Sequence, residues 1–294
     1  MKLLNHPIPA IGLWRLMDWQ LDSLAVLRWT HQVLDLGSHV FDLADIYGDY
    51  AVEAHFGSAL ALEPALRKRL FLISKCGIKL VSPGRPQHRL KSYDTSHAHV
   101  TASVEASLCN LHTDHLDLLL IHRPDPLINA DEVAEAFSAL KQAGKVLHFG
   151  VSNFSTVQFD LLASRLSFPL ITNQVELSVL QPAALYDGTL DQCQRLRVSP
   201  MAWSPFGGGK LFYGQGQQEQ RVRAALEKVG AEHGDWTLDQ TALAWILTHP
   251  SRIVPVLGTR SLDNIREALN VADSKLTREQ WFSILEAVHG HEVP

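Results

Sequence analysis

Cysteine is scarce in this chain: Cys76, Cys109 and Cys193 are the only three, and no two of them form a CxxC pair. That spacing offers neither a disulfide framework nor a thiolate zinc site, and it suits a reducing compartment. No run approaches the roughly 20 apolar residues of a membrane-spanning helix. The opening MKLLNHPIPAIGLW lacks a sustained apolar core and a small-residue cleavage site, so no signal peptide is expected. Positive charge is also short, with 26 Lys+Arg against 31 Asp+Glu and a net charge of -5. With no basic stripe either, a nucleic-acid surface is not expected. Metal motifs are missing: among 15 histidines the tightest pairs are His112/His115 and His289/His291, and there is no HExxH. The terminal HGHEVP reads as a frayed tail. The glycine run of WSPFGGGKLF fails as a nucleoside-triphosphate loop, because Ser204 and Leu211 stand where Gly and Ser/Thr are required. It also fails as GxGxxG, because position 212 is Phe, so a doubly wound dinucleotide domain has no support. These absences leave a cytoplasmic protein without metal, membrane or nucleic-acid partner.

What is present is a repeating alternation. Hydrophobic residues make up 46% of the 294 and charged residues 19%, enough apolar mass for a large core. Eight strand-like runs follow one another: 10–14, 39–43, 70–75, 116–122, 147–152, 170–175, 199–204 and 253–258. Several are continuously apolar, as expected of a parallel sheet covered by helices. Between them lie helical patterns such as LDSLAVLRWTHQVLDLG, AHVTASVEASLCNLH, ADEVAEAFSALKQAG and PAALYDGTLDQCQRLR. The first and third end at Gly37 and Gly144, where a helix cap favours positive φ. Eight strands alternating with helices, without repeat or linker, predict one α/β domain over residues 1–294, a (β/α)8 TIM barrel. The polar stretch 81–96 breaks the pattern as a loop beyond the third run, and TREQWFSILEAV reads as a final helix.

Several runs end in a reactive side chain. HVFDLADIYG carries Asp42 and Tyr47, LFLISKCG carries Lys75, and LDLLLIHRPD carries His122. In such a barrel, successive strands deliver one side chain each to a shared C-terminal rim. A nearby ammonium lowers the pKa of a tyrosine, Asp42 can partner a buried Lys75, and a neutral histidine can donate to a carbonyl oxygen. A structural ion pair and a satisfied core histidine fit the same spacing equally well. Ser152, Asn153, Asn173 and Gln174 offer groups that could hold a carboxamide, and Trp203 could stack on a flat ring. Taken singly, strand-end turns and a core tryptophan explain them better. Gly258, Thr259 and Arg260 precede a helical pattern, where anions are favoured.

Taken together, FDLADIYGDYAVEAHFG, LFLISKCG, TDHLDLLLIHRPD, GKVLHFGVSNFS, TNQVELS, AWSPFGGGKL and VPVLGTRSLDNIREAL resemble the aldo-keto reductase superfamily over nearly the whole chain. The likeness is greatest to bacterial oxidoreductases with a WRLMDW segment. The resemblance implies a barrel that binds NADP(H) and reduces an aldehyde or ketone. It implies Tyr47 as general acid, Lys75 and Asp42 tuning it, and His122 orienting the carbonyl. Ser152, Asn153 and Gln174 would hold the nicotinamide carboxamide, with Trp203 stacked on the ring. Ser204, Phe206, Gly207, Gly209 and Leu211 would line the pyrophosphate. Gly258, Thr259 and Arg260 would face the 2′-phosphate and Glu267 the adenine, with Gly12, Trp14, Lys210 and Asn264 also on the cofactor side. Many members carry Lys-Ser at Gly258-Thr259, Arg at Asn264 and Asn at Ala268, so phosphate recognition would rest on Arg260 with Lys210. Two other functions fit this fold: a slow-turnover NADPH-binding redox sensor, and a lyase or isomerase using Lys75 as a Schiff base. A small-molecule carbonyl substrate, a monomeric state, and an apolar pocket walled by Trp14, Tyr50 and Ile78 complete the expectation.

Overall fold

Each apolar run becomes a strand where burial on both faces rewards branched and aromatic side chains. The computed structural model describes residues 8–293. Its strands are β1 (Ala10–Gly12), β2 (Val40–Asp42), β3 (Phe71–Cys76), β4 (Ile78–Lys79), β5 (Ser92–Tyr93), β6 (Leu116–Ile121), β7 (Val146–Ser152), β8 (Leu170–Glu176), β9 (Met201–Trp203) and β10 (Val254–Leu257). The order β1-β10-β9-β8-β7-β6-β3-β2 closes a parallel barrel, and helices follow the strands. The other two strands, β4 and β5, pair antiparallel as a separate hairpin. Its second strand lies inside the stretch 81–96 read as plain loop, and two-residue strands are too short to show a period in sequence.

The chain forms two compact units, Ala10–Asn173 and the residues from Gln174 onward. In the first, register aligns the strand ends: Gly12 lies opposite Asp42, Asp42 opposite Ile73, and Lys75 opposite Leu120. Gly150 lies opposite Leu120 on β7, and a Cβ there would stand 2.8 Å from Leu120 Cδ2 and from Thr172. Only glycine fits at that point. The helix Ser23–Asp35 starts on Asp22, whose carboxylate accepts from the Ala25 N–H at 2.7 Å. Its buried Trp29 meets Trp19 and Phe41, and Phe41 meets Phe56 of the helix Val52–Leu62. Phe137 of the helix Ala130–Gln142 stacks on Phe149 of β7 at 4.3 Å. Gly37 and Gly144 take positive φ (103° and 71°) as helix ends require.

The second unit packs Val222, Leu226, Val229, Trp245, Ile284, Leu285 and Val288 into one apolar cluster. Trp245 and Trp281, on the helices Leu238–Thr248 and Arg278–His289, stack with centroids 5.0 Å apart and planes 6° off parallel. Each indole N–H donates to the other residue's backbone carbonyl, at 3.1 and 3.0 Å. Two expectations are corrected here. PAALYDGTLDQCQRLR is not one helix, because Gly188 at φ 83° separates a 3-10 turn (Ala183–Leu185) from the helix Thr189–Leu196. Nor does HGHEVP fray from its first residue. His289 ends a helix with Nε2 2.8 Å from the Tyr186 hydroxyl, and Gly290 caps it in the left-handed region.

Candidate active site

The first unit gathers the strand-end residues around one ammonium. Lys75, one residue short of the end of β3, is 1% exposed. Its Nζ donates to Asp42 Oδ2 at 2.7 Å, to the Leu43 carbonyl at 2.8 Å and to Tyr47 Oη at 3.0 Å. All three protons are thus engaged. Burial pushes the Lys75 pKa down, but Asp42 and Tyr47 together outweigh it and hold the ammonium above its usual range. An ammonium held by three hydrogen bonds is a poor amine nucleophile, which argues against the Schiff-base alternative.

Tyr47 departs from expectation in direction. Burial pushes its phenol above the ordinary value, and the Lys75 charge, which acts the other way, does not overcome it. At neutral pH the Tyr47 phenol therefore keeps its proton. The His122 ring stands edge-on to the Tyr47 ring, with centroids 5.8 Å apart. Burial, then the charges of Lys75, Arg123 and Lys91, push His122 well below its usual range, so it is neutral. Its Nδ1 is buried and makes no hydrogen bond. The four residues expected to carry chemistry thus stand together in one unit.

Beside them, β7 ends in Ser152, whose hydroxyl accepts from Asn153 Nδ2 at 2.7 Å. Asn153 sits at φ 61°, a conformation that asparagine tolerates. Asn173 is spent on structure: it is fully buried and its amide donates to the Phe154 carbonyl at 2.8 Å. Gly12 pairs with Asp42, while Trp14 is 61% exposed with the Arg15 guanidinium 5.5 Å from its ring centroid. Ile78 is buried, so it is not an open apolar wall.

In the second unit, Gln174 is buried and Trp203 ends β9 half-buried. Ser204 and the three glycines Gly207, Gly208 and Gly209 all take positive φ (51°, 59°, 65° and 96°). A Cβ on Gly208 would meet nothing within 4 Å, so backbone is open there, and exposed Lys210 follows. Phe206 is half-buried, whereas Leu211 is fully buried and its N–H donates to the Phe206 carbonyl at 3.3 Å. Gly258 is likewise open. Thr259 accepts from the Ser261 N–H at 3.1 Å, and Ser261 caps the helix Leu262–Asn270. Arg260 and Asn264 are exposed, and Glu267 is half-buried. Open backbone at Gly208 and Gly258, the exposed Lys210 and Arg260, and the buried Gln174 amide suit the phosphates and carboxamide of a dinucleotide.

Two buried carboxyls were not singled out from the sequence. Burial pushes Asp45 well above the usual carboxylate range, and Glu53 adds to it; its Oδ1 is buried without a hydrogen-bond partner. Glu53 is 3% exposed and accepts from Ser74 Oγ at 2.5 Å, and burial raises its pKa too. The one sequence signal was an acid within an otherwise apolar segment in each case. Among the described residues no group of three or more His, Cys, Asp or Glu side chains could hold a metal, and no helix is long and apolar enough to cross a membrane.

The Aldo/keto reductase family model matches residues 10–289. "Uncharacterized oxidoreductase YcsN" of Bacillus subtilis is 50% identical over 283 residues, covering 96% of this chain and 94% of the relative. A 6-dehydroglucose reductase of Agrobacterium fabrum is 45% identical over 285 residues, covering 96% and 94%. A thermostable aldo-keto reductase solved with the inhibitor epalrestat superposes with a TM-score of 0.80 at 26% identity, covering 96% of this chain and 95% of that one.

Proposed function

This chain belongs to the aldo/keto reductase family, and from that premise we propose that it is an NADP(H)-dependent carbonyl reductase with Tyr47 as its acid. The observation that carries the reading is the Asp42–Lys75–Tyr47 chain, with contacts of 2.7 and 3.0 Å, beside a neutral His122. A reduced nicotinamide bound there would supply the hydride for the carbonyl carbon. Tyr47 gives its phenolic proton to the carbonyl oxygen, so that one hydride and one proton make the alcohol. Lys75 stabilises the phenolate left behind, and Asp42 holds Lys75 in place and charged. His122 donates an N–H to the same oxygen and fixes the carbonyl's direction.

The cofactor-binding roles follow the family pattern. Ser152, Asn153 and Gln174 bind the carboxamide and Trp203 stacks on the ring. Ser204, Phe206, Gly207 and Gly209 line the pyrophosphate, with the buried Leu211 supporting that turn. Gly258, Thr259 and Arg260, with Lys210, take the 2′-phosphate, and Glu267 the adenine; Gly12, Trp14 and Asn264 complete the set. The substrate in this reading is a polar, oxygen-rich carbonyl such as a sugar aldehyde. Three observations support this over an apolar one: Ile78 is buried, Asp45, Arg85 and His88 flank Tyr50, and a relative is named for a dehydrogenated sugar. The reading carries with it a cytoplasmic monomer.

Fluorescence titration with NADPH and NADH, followed by a carbonyl panel read as cofactor oxidation, tests the proposal. Tight NADPH binding with turnover on a sugar aldehyde is expected. Binding without turnover on any carbonyl would favour a redox-sensing module, and binding of neither nucleotide would overturn the cofactor assignment.

A further inference from the structure

Tyr47 opens a turn of unusual backbone. Gly48, Asp49 and Tyr50 all lie in the left-handed region, with φ of 56°, 56° and 68°. Only the first is glycine, so the other two hold a conformation that a Cβ disfavours. The turn is also tightly enclosed: a Cβ on Gly48 would stand 2.6 Å from Met17 Cγ and 2.9 Å from Val52 Cγ2. A strained turn persists only where surrounding contacts over-determine it.

Those contacts converge on Tyr50 from one segment some thirty residues away. The Leu80 N–H donates to Tyr50 Oη at 2.8 Å. The Arg85 guanidinium lies 4.9 Å from the Tyr50 ring centroid, and the His88 ring lies 6.3 Å from it. His88 Nδ1 is in turn 3.0 Å from the Leu80 carbonyl. The segment is folded on itself as well: Gly84 N–H donates to Ser82 Oγ at 3.1 Å, Arg85 N–H to the Ser82 carbonyl at 2.9 Å, and His88 N–H to the Arg85 carbonyl at 2.9 Å. The β4–β5 hairpin and the Lys79–Asp94 ion pair at 3.3 Å bring its two flanks together. One phenol therefore receives a hydrogen bond, a cation and a second ring from a single preformed segment.

We propose that Tyr50 is a positioning residue: by clasping residues 80–88 it holds the left-handed turn that sets Tyr47 against Lys75, so docking of the segment and proton delivery are coupled. The proposal rests on the carbonyl-reductase reading for its kinetic half only. Tyr50 itself touches neither Lys75 nor His122 in any contact described above. Its effect on turnover runs through the backbone of residues 48–50.

The experiment is hydrogen–deuterium exchange on the full chain, paired with steady-state kinetics, for wild type, Tyr50→Phe and Arg85→Gln. Phenylalanine keeps the ring and removes the acceptor of the Leu80 N–H. Tyr50→Phe is expected to speed exchange about tenfold both at Leu80 and across residues 47–52. It is expected to lower kcat about tenfold, while NADPH affinity stays within about twofold. Arg85→Gln should move the same readouts in the same direction by less, and it stands in if Tyr50→Phe fails to fold. Faster exchange confined to Leu80, or a rise in KM with unchanged kcat, would overturn the coupling and leave only a pocket wall. A wild type that binds NADPH but reduces no carbonyl would overturn the reductase reading instead, and exchange across residues 47–52 would then decide the clasp alone.

Discussion

Burial outweighs neighbouring charge at Tyr47 and Asp45, whereas charge outweighs burial at Lys75. Tyr47 lies 3.0 Å from an ammonium, yet its phenol is raised, because removal from water outweighs that attraction. On the proposed mechanism, reduction should therefore hold its rate up to and beyond the ordinary tyrosine value of about 10. Tyr47→Phe should cut turnover by about 10²–10⁴-fold with cofactor affinity nearly unchanged, as stopped-flow and titration would read. Asp45 makes a second case. Its folded-state pKa is raised, so the stability of its neutral form is fully present below the unfolded value of about 4 and is lost as pH rises towards the folded one. Asp45→Asn stays neutral throughout. It should match wild type in thermal unfolding below about pH 4 and exceed it by about 2–4 °C at pH 7. A variant that melts lower than wild type at pH 7 would show that the Arg85 attraction dominates over burial.

Elements explain what was readable in the sequence and what was not. The strands were legible because apolar runs ending in Asp42, Lys75, His122 and Ser152 have no alternative place to bury. Tyr47 and Lys75 could be paired from spacing, but the direction of the phenol's pKa could not, since it depends on enclosure by residues distant in sequence. The β4–β5 hairpin was missed because two-residue strands carry no period, and the Tyr50 clasp because its partners lie about thirty positions away. The break at Gly188 was missed because the flanking residues keep helical spacing across it. Helix packing sets its own demand at Gly57, inside Val52–Leu62. A Cβ there would stand 1.9 Å from the Asn110 carbonyl oxygen of the neighbouring helix, and backbone cannot yield as a side chain can. Gly57→Ala should cost about 1–3 kcal/mol in denaturant unfolding despite the better helix propensity of alanine.

At the scale of the whole molecule, opposite ends of the strands do different work. Asp42, Lys75 and His122 lie at the C-terminal ends of β2, β3 and β6, while near the starts of β3 and β6 a buried Arg67 ties the chain together. It donates to Thr113 Oγ1 at 2.7 Å, to the Leu70 and His115 carbonyls at 3.1 and 2.9 Å, and to Asp117 at 2.8 Å. Arg67→Met leaves the half-buried Asp117 without its cation, and should lower stability by about 2–3 kcal/mol. Turnover per folded molecule should stay at wild-type level, the reverse of Tyr47→Phe; an equal loss of both would mean that the two ends are not separable. The stacked Trp245–Trp281 pair has a consequence of another kind. Two indoles 5.0 Å apart and 6° from parallel share their excited states, so the protein carries its own optical label for the docking of its last long helix. A couplet in the ultraviolet circular dichroism, abolished by Trp281→Phe, would let that docking be timed during refolding without any added dye.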